Sequence, residues 1–337
     1  MMSTPLQLLS DAVQLVSGQH ILFLNSAADP FVSTVARRCP ECLVTLAEDN
    51  VAALQTAVNG AGQAFAHPLC HIAFHEYTAH EQGATMDVAV MNLIYQPNNA
   101  WMRYCLQIAR YALKAGGRLY VLGAKDRGIQ TIARHMQELF GNVETLAISK
   151  GQRVVCSRNA ARAPVIAPDD LTGLLFSKGE LDEGTRLLLE AVEVHKADDA
   201  LDIGCGTGII GLYIARQAVE GHVTMVDASL AAVAVARRNI AESGLTNVHA
   251  LPGDGTRAVL SERFDLVVTN PPFHQGGLQT TAVAERFIRE AAQALRRRGR
   301  FYLVANRFLK YEPVLQASFQ QVREVAGNGR YKVLRAE

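Results

Sequence analysis

The chain has 337 residues, a length that makes two domains the natural expectation. A hydrophobic share of 49% and a charged share of 19% fit an α/β protein with large cores, and no apolar run approaches the ~20 residues of a membrane-spanning helix. The formal charge of +1 excludes the general basic excess common in RNA-binding proteins, so any nucleic-acid contact must use a local patch.

In chain order, Met1-Met2-Ser3-Thr4-Pro5 shows no basic segment followed by an apolar one, so no secretion signal and a cytoplasmic location are expected. Residues 22–24, 44–48, 86–92, 113–121 and 151–155 carry strand signals in the same order as the second half. Cys39-Pro40-Glu41-Cys42 is the one C-x-x-C among six cysteines. A structural zinc site needs a second ligand pair, and Cys70-His71 is poorly spaced for one, so reduced thiols and no metal are expected. Residues 160–170 hold Pro164 and Pro168 and fit a linker, which gives domains 1–165 and 166–337.

The second half alternates strand and helix. Strands are expected at residues 200–203, 222–227, 248–251, 264–269 and 300–305, and helices at 209–218, 230–243 and 282–297, the last ended by Gly299. Residues 321–325 and 330–335 read as two closing strands around Gly327-Asn328-Gly329. This alternation implies a doubly wound parallel sheet. Arg296, Arg297, Arg298 and Arg300 form the densest basic cluster, read either as an RNA-facing patch or as a solvated helix end that complements the macrodipole.

The two halves repeat one another. Leu22 lies 179 positions before Leu201, Val44 lies 179 before Val223, Met86 lies 178 before Phe264, and Gly151 lies 178 before Gly329. The stretch 113–121 also matches 295–303. Such ordered matches imply an internal duplication, hence two tandem Rossmann-like domains. The copies differ where chemistry would occur. Gly204, Gly206 and Gly208 correspond to Asn25, Ala27 and Asp29, and Pro271-Pro272 to Leu93-Ile94, whereas the acid Asp227 survives as Glu48. The first copy is therefore expected to be degenerate and to bind no cofactor, with Asn92 a strand-end residue.

Glycines at 204, 206 and 208 allow a sharp strand-to-helix turn and close approach of a ligand to the backbone. Asp227, 19 residues after Gly208, suits a carboxylate accepting from both hydroxyls of a ribose. Asp254, in Pro252-Gly253-Asp254-Gly255, either receives an adenine amino group or caps a glycine turn. Asp202, just before the first glycine, would repel a pyrophosphate but helps hold an ammonium-bearing methionine end, directly or through water; the plainer reading is a turn-capping acid. The set favours S-adenosylmethionine over a dinucleotide.

Asn270-Pro271-Pro272-Phe273 follows the apolar run 264–269. The two prolines lack amide hydrogens and stiffen the turn, leaving an amide, carbonyls and a ring at the strand end. An exocyclic amine on a planar ring has its lone pair delocalised. The Asn270 side-chain oxygen and the Pro271 carbonyl are expected to accept its two hydrogens, so that the lone pair points at the methyl donor. Phe273 stacks on the ring. Transfer is then an in-line displacement driven by orientation, with no strong base and no metal. His274 reads equally as a substrate contact or a turn residue. A base within a helix would have to be flipped out.

Asp202-Ile203-Gly204-Cys205-Gly206-Thr207-Gly208 and Asn270-Pro271-Pro272-Phe273-His274 resemble the class I S-adenosylmethionine-dependent methyltransferases. More narrowly, the chain is similar to the bacterial ribosomal RNA guanine-N2 methyltransferases of the RsmC and RlmG type. Supporting matches are Phe176-Ser177, Leu181-Asp182, Gly184-Thr185, residues 304–309 and Gly329-Arg330-Tyr331-Lys332-Val333. The resemblance covers residues 170–337 well and 1–165 mainly by architecture. It implies cofactor contacts at Gly204, Gly206, Asp227 and Asp254, base contacts at Asn270, Pro271 and Phe273, and Phe176 and Ser177 at the methionine end; Asp202, Gly208 and Asn270 are also expected among the cofactor-binding residues. It further implies a first domain that supports folding and RNA docking, and ribosomal RNA or a ribosomal subunit, small rather than large, as partner. A monomer is expected, the fused copies standing in for a dimer. The Asn-Pro-Pro motif is shared with glutamine-N5 and adenine-N6 enzymes, which are the rival enzymes. A non-catalytic RNA-binding assembly protein is the rival of another class. A nicotinamide oxidoreductase is disfavoured by Pro271-Pro272.

Overall fold

The apolar runs of each half assemble into one sheet because each is flanked by helices that need an apolar surface on either face. The computed structural model describes residues 4–160, 181–272, 274–275, 278–279 and 281–337. The chain divides into two units, residues 1–170 and 171–337. Of the segment read as a linker, only Ala160 lies within the described residues.

The first unit holds β1 (His20–Leu24), β2 (Leu43–Glu48), β3 (Cys70–Ala73), β4 (Met86–Asn92), β5 (Leu113–Ala124), β6 (Glu144–Ser149) and β7 (Gln152–Arg158). They lie in the order β3-β2-β1-β4-β5-β7-β6. The second unit holds β8 (Ala200–Ile203), β9 (Val223–Asp227), β10 (Val248–Pro252), β11 (Phe264–Thr269), the short antiparallel pair β12 (His274–Gln275) and β13 (Leu278–Gln279), then β14 (Leu295–Asn306), β15 (Val322–Gly327) and β16 (Tyr331–Ala336). Its main sheet runs β10-β9-β8-β11-β14-β16-β15. The two orders match strand for strand, so the repeat read in the sequence is a repeat of fold.

The sheets are mixed rather than wholly parallel as expected. β7 and β16 run antiparallel to both of their neighbours. Short turns force this, because only antiparallel strands can be joined by two or three residues. Lys150 and Gly151, both with positive φ (47° and 80°), form the two-residue turn between β6 and β7. In the second unit Asn328 does the equivalent work, its Oδ1 accepting the amides of Arg330 and Tyr331 at 2.8 Å each.

Each face of the second sheet carries its own core. Leu266 and Val268 of β11 pack with Ala200, Met225 and Tyr302 on one side. Val267 packs with Leu201, Ile203, Phe287 and Phe301 on the other. Burial on both faces explains why the strand reads as an unbroken apolar run.

The helix expected over residues 282–297 ends earlier, at Ala294 (Ala282–Ala294), and Leu295 already begins β14. Arg298, inside β14, takes a left-handed φ of 67° where the pairing with β11 shifts register. The arginine cluster is therefore no helix end. Arg296 pairs with Asp199 at 2.8 Å and also with Asp265, both at the leading ends of β8 and β11. Arg300 is buried against Asp198. These pairs tie the amino-terminal edge of the sheet, opposite the edge where the glycine turn and Asn270 lie.

Candidate active site

In a doubly wound sheet, ligands bind beyond the carboxyl ends of the strands where the order reverses. In the second unit that point lies between β8 and β11. Their register pairs Ile203 with Thr269, so Gly204 and Asn270, 66 positions apart in sequence, leave the sheet side by side. The buried Thr269 hydroxyl donates to the Ile203 carbonyl at 2.7 Å and fastens the two strand ends together.

Gly204, Gly206 and Gly208 have φ of 73°, 55° and 86°, backbone that other residues rarely adopt. A side chain at Gly206 would meet open space. A side chain at Gly208 would press on Met225 Sδ at 3.0 Å. The turn is held from β9. Asp227 Oδ2 accepts from Gly206 N and Oδ1 from Ser229 N, each at 2.8 Å. Each carboxylate oxygen keeps a further lone pair for a hydroxyl. Burial pushes the Asp227 carboxyl up, while amide donors from Ser229, Gly206 and Ala228 pull it back.

Asp202 is fully buried beneath the turn. Its Oδ2 accepts from Gly211 N at 3.0 Å, in the first turn of the helix Ile209–Gln217. Its Oδ1 has no partner among the described residues. Burial pushes its carboxyl up to about 7, opposed by the Gly211 amide and reinforced by the charge on Asp227. The capping and ligand-holding readings thus use different oxygens of one carboxylate.

Gly211 is a residue the sequence reading missed. A Cβ there would lie 2.6 Å from Met225 Cγ, because the Met225 side chain already fills the space between helix and sheet. Gly211→Ala is expected to destabilise the fold by about 1–3 kcal/mol through overpacking, read as a fall in the urea midpoint with unchanged m-value. An unchanged midpoint would show that Met225 yields without cost.

Asp254 stands at the start of the short helical turn Gly255–Val259 and makes no capping hydrogen bond of its own. Its carboxylate pairs with Arg257 at 3.2 Å and, more closely, with Arg286. Arg286 also bonds Glu290 Oε1 at 2.9 Å, and Glu290 Oε2 accepts the Thr256 amide. Asp254 is therefore braced in a charged network that the sequence did not disclose.

Asn270 is half-buried, Pro271 buried and Pro272 exposed. The Asn270 Nδ2 donates to Thr185 Oγ1 at 2.9 Å, with Asp182 Oδ2 behind at 3.5 Å. Its Oδ1 makes no hydrogen bond among the described residues and is left to accept. Phe176, Ser177 and Phe273 lie outside the described residues, as do the side chains of His274 and Gln275.

The first unit keeps the same scaffold but fills it. Ala27 N donates to Glu48 Oε2 at 2.9 Å and Asn50 N to Oε1 at 2.9 Å, repeating the Asp227 pattern. Burial pushes the Glu48 carboxyl up to about 7 against these amides. The space beside it is taken by Gln96, whose amide nitrogen donates to the carbonyls of Asn25 and Asn92 at 3.1 Å each. The Asn92 amide nitrogen donates to Asp29 Oδ2 at 2.7 Å and its oxygen accepts from Ile94 N at 3.1 Å.

The comparisons agree with this geometry. The family model for the methyltransferase small domain matches twice, at residues 6–156 and 171–335, once on each copy. The chain belongs to the methyltransferase small domain family. Within it, the chain is 28% identical to ribosomal RNA small subunit methyltransferase C of Shewanella loihica, over 99% of this chain and 98% of that one. It is 32% identical to the same enzyme of Pseudomonas putida, over 73% and 78% of the two chains. A solved structure of the T. thermophilus 16S rRNA N2 methyltransferase RsmC, in complex with AdoMet and guanosine, superposes with a TM-score of 0.83 at 29% identity, covering 99% of this chain and 92% of that one.

Proposed function

We propose that this protein transfers a methyl group from S-adenosylmethionine to the exocyclic N2 of a guanine in 16S ribosomal RNA. The observation that carries this reading is the side-by-side exit of Gly204 and Asn270 from β8 and β11, with the Asn270 oxygen making no hydrogen bond among the described residues. The likeness along the whole chain to a structure holding AdoMet and guanosine supports the same chemistry.

The site fits the cofactor. Open space at Gly206 admits it, Asp227 has lone pairs for ribose hydroxyls, and the unpartnered Asp202 oxygen places negative charge under a cationic ligand. S-adenosylmethionine supplies an electrophilic methyl group on a positively charged sulfur. The glycine turn and Asp227 hold it at the end of β8. Asp254 offers its remaining acceptor capacity to an adenine amino group, although Arg257 and Arg286 already engage it. Asn270 Oδ1 and the Pro271 carbonyl each accept one hydrogen of the guanine amine, which turns the nitrogen lone pair out of conjugation and toward the methyl. By the resemblance alone, Phe273 would stack on the base and Phe176 and Ser177 would serve the methionine end. Once methylated the nitrogen would carry a positive charge and give its extra proton to solvent water, leaving a neutral amine. No metal takes part. The protein acts on ribosomal RNA or a subunit in the cytoplasm as a monomer, and its first unit supports folding and docks RNA.

The test is methyl transfer from labelled cofactor to separated ribosomal subunits from a strain lacking the protein, followed by nucleoside analysis. Labelled N2-methylguanosine in the small subunit is the expected result. Label in the large subunit would redirect the target. Label in a release-factor glutamine, or in adenine, would overturn the guanine assignment.

Asp202 gives a pH signature. Burial pushes its carboxyl up to about 7, and a bound cation would favour the ionised form and lower that value. Binding then expels a proton below pH about 7, so affinity for S-adenosylmethionine rises with pH up to that point and levels off above it. Calorimetry between pH 5 and about 7 reads this. A rise that persists undiminished in Asp202→Asn would assign it to another group.

A further inference from the structure

We propose that Asp182, Thr185 and Pro272 are positioning residues that fix the orientation of the Asn270 amide and keep its oxygen unpaired for the substrate amine. The inference rests on the proposed transfer reaction and adds residues to the same site.

A carboxamide has nearly the same shape either way round, so packing alone does not choose between oxygen and nitrogen. Only the oxygen can accept a hydrogen from a substrate amine. The choice is made by a one-way chain of donors. Asp182 caps the helix Glu183–Ala191, its Oδ1 accepting the Thr185 amide at 3.0 Å, which pins the carboxylate. The Thr185 hydroxyl spends its single proton on Asp182 Oδ2 at 2.5 Å. Its remaining capacity toward Asn270 is acceptor only, so the group facing it at 2.9 Å must be the amide nitrogen. A flipped amide would set two acceptors against each other in a part-buried contact, losing a hydrogen bond. Thr185 is 6% exposed, so water has little access to its side of that contact.

The first unit shows what happens without this arrangement. Asn92 corresponds to Asn270, and its oxygen is consumed by the amide of Ile94, two residues on. The residue at the Ile94 position in the second unit is Pro272, which has no amide hydrogen. The second proline therefore does more than stiffen the turn: it removes the one local donor that closes on the asparagine oxygen in the other copy. Thr185 sets which end of the amide faces the substrate, and Pro272 keeps that end unpaired.

The experiment uses the full chain. Single-turnover transfer to small ribosomal subunits, cofactor affinity and the nitrogen-15 side-chain amide signals of Asn270 are measured in Thr185→Val, Thr185→Ser, Asp182→Asn and Pro272→Ala. Thr185→Val is expected to slow transfer about 10–100-fold, the cost of a lost orienting hydrogen bond, with cofactor affinity unchanged. Thr185→Ser restores the rate because it keeps the hydroxyl. Pro272→Ala slows transfer about 10-fold as its new amide competes for the oxygen. In an Asn270→Ala background both effects vanish, because no amide is left to orient. In the spectra, Thr185→Val removes the slowly exchanging, hydrogen-bonded Asn270 amide proton. An unchanged rate in Thr185→Val, an equal loss in the Asn270→Ala background, or an unchanged amide signal would overturn the inference. If the wild-type protein methylates no guanine, the proposed function fails, and the amide signal alone still decides the orientation.

Discussion

Asn270→Ala is expected to slow methyl transfer by about 10²–10³-fold, the range found when one preorganised hydrogen-bonding group is removed from a transition state. The amine lone pair is available only while both its hydrogens are held out of the ring plane. Without the Asn270 oxygen one hydrogen is unheld, and the nitrogen relaxes back into conjugation. Cofactor affinity is expected to stay within about twofold, because the cofactor contacts proposed above lie on the glycine turn and β9. Substitution also strands the Thr185 hydroxyl, but that group still bonds Asp182 at 2.5 Å, so the stability cost is small. The measurement is a single-turnover rate with saturating cofactor, alongside calorimetric binding. A variant that binds cofactor normally and transfers at the wild-type rate would remove Asn270 from the reaction.

Asp227→Ala is expected to act at the other stage. It weakens cofactor binding about 100-fold, equivalent to about 2.7 kcal/mol, by deleting a charged acceptor of hydroxyl hydrogen bonds. It also leaves the amides of Gly206 and Ser229 without the partners they hold at 2.8 Å, so the turn itself loosens. The transfer rate at saturating cofactor falls far less than in Asn270→Ala. Glu48→Ala in the first unit provides the contrast. It removes the same backbone contacts from the degenerate copy and is expected to lower stability without changing cofactor affinity. Equal losses of affinity from both substitutions would mean that the first unit also takes part in binding.

Much of this site was legible before any coordinates. Gly204, Gly206 and Gly208 announced a turn that needs positive φ, and all three adopt it. The acid at the end of β9 announced itself by spacing. The duplication was visible as a nearly constant offset, and it explains why the first unit repeats the strand order while its glycines have gone. Pro271-Pro272 marked the end of β11, but the meaning of the second proline emerged only when its counterpart, Ile94, was seen closing on Asn92.

What the sequence determined by itself is whatever depends on neighbours along the chain: apolar runs that become buried strands, glycines that permit a left-handed turn, prolines that withhold a donor. What the tertiary structure decided is whatever depends on residues far apart. Thr185 meets Asn270 across 85 positions, Arg286 meets Asp254 across 32, and Gly211 abuts Met225 because a helix is laid flat on the sheet. The arginine cluster shows the same division, its charges plain in the sequence and its place known only after Asp199 and Asp265 were brought to it at the edge of the sheet opposite Asn270. Local conformation follows from each residue's own sterics and hydrogen-bonding groups, whereas the pairing of distant side chains is fixed only when the strands that carry them are set in register.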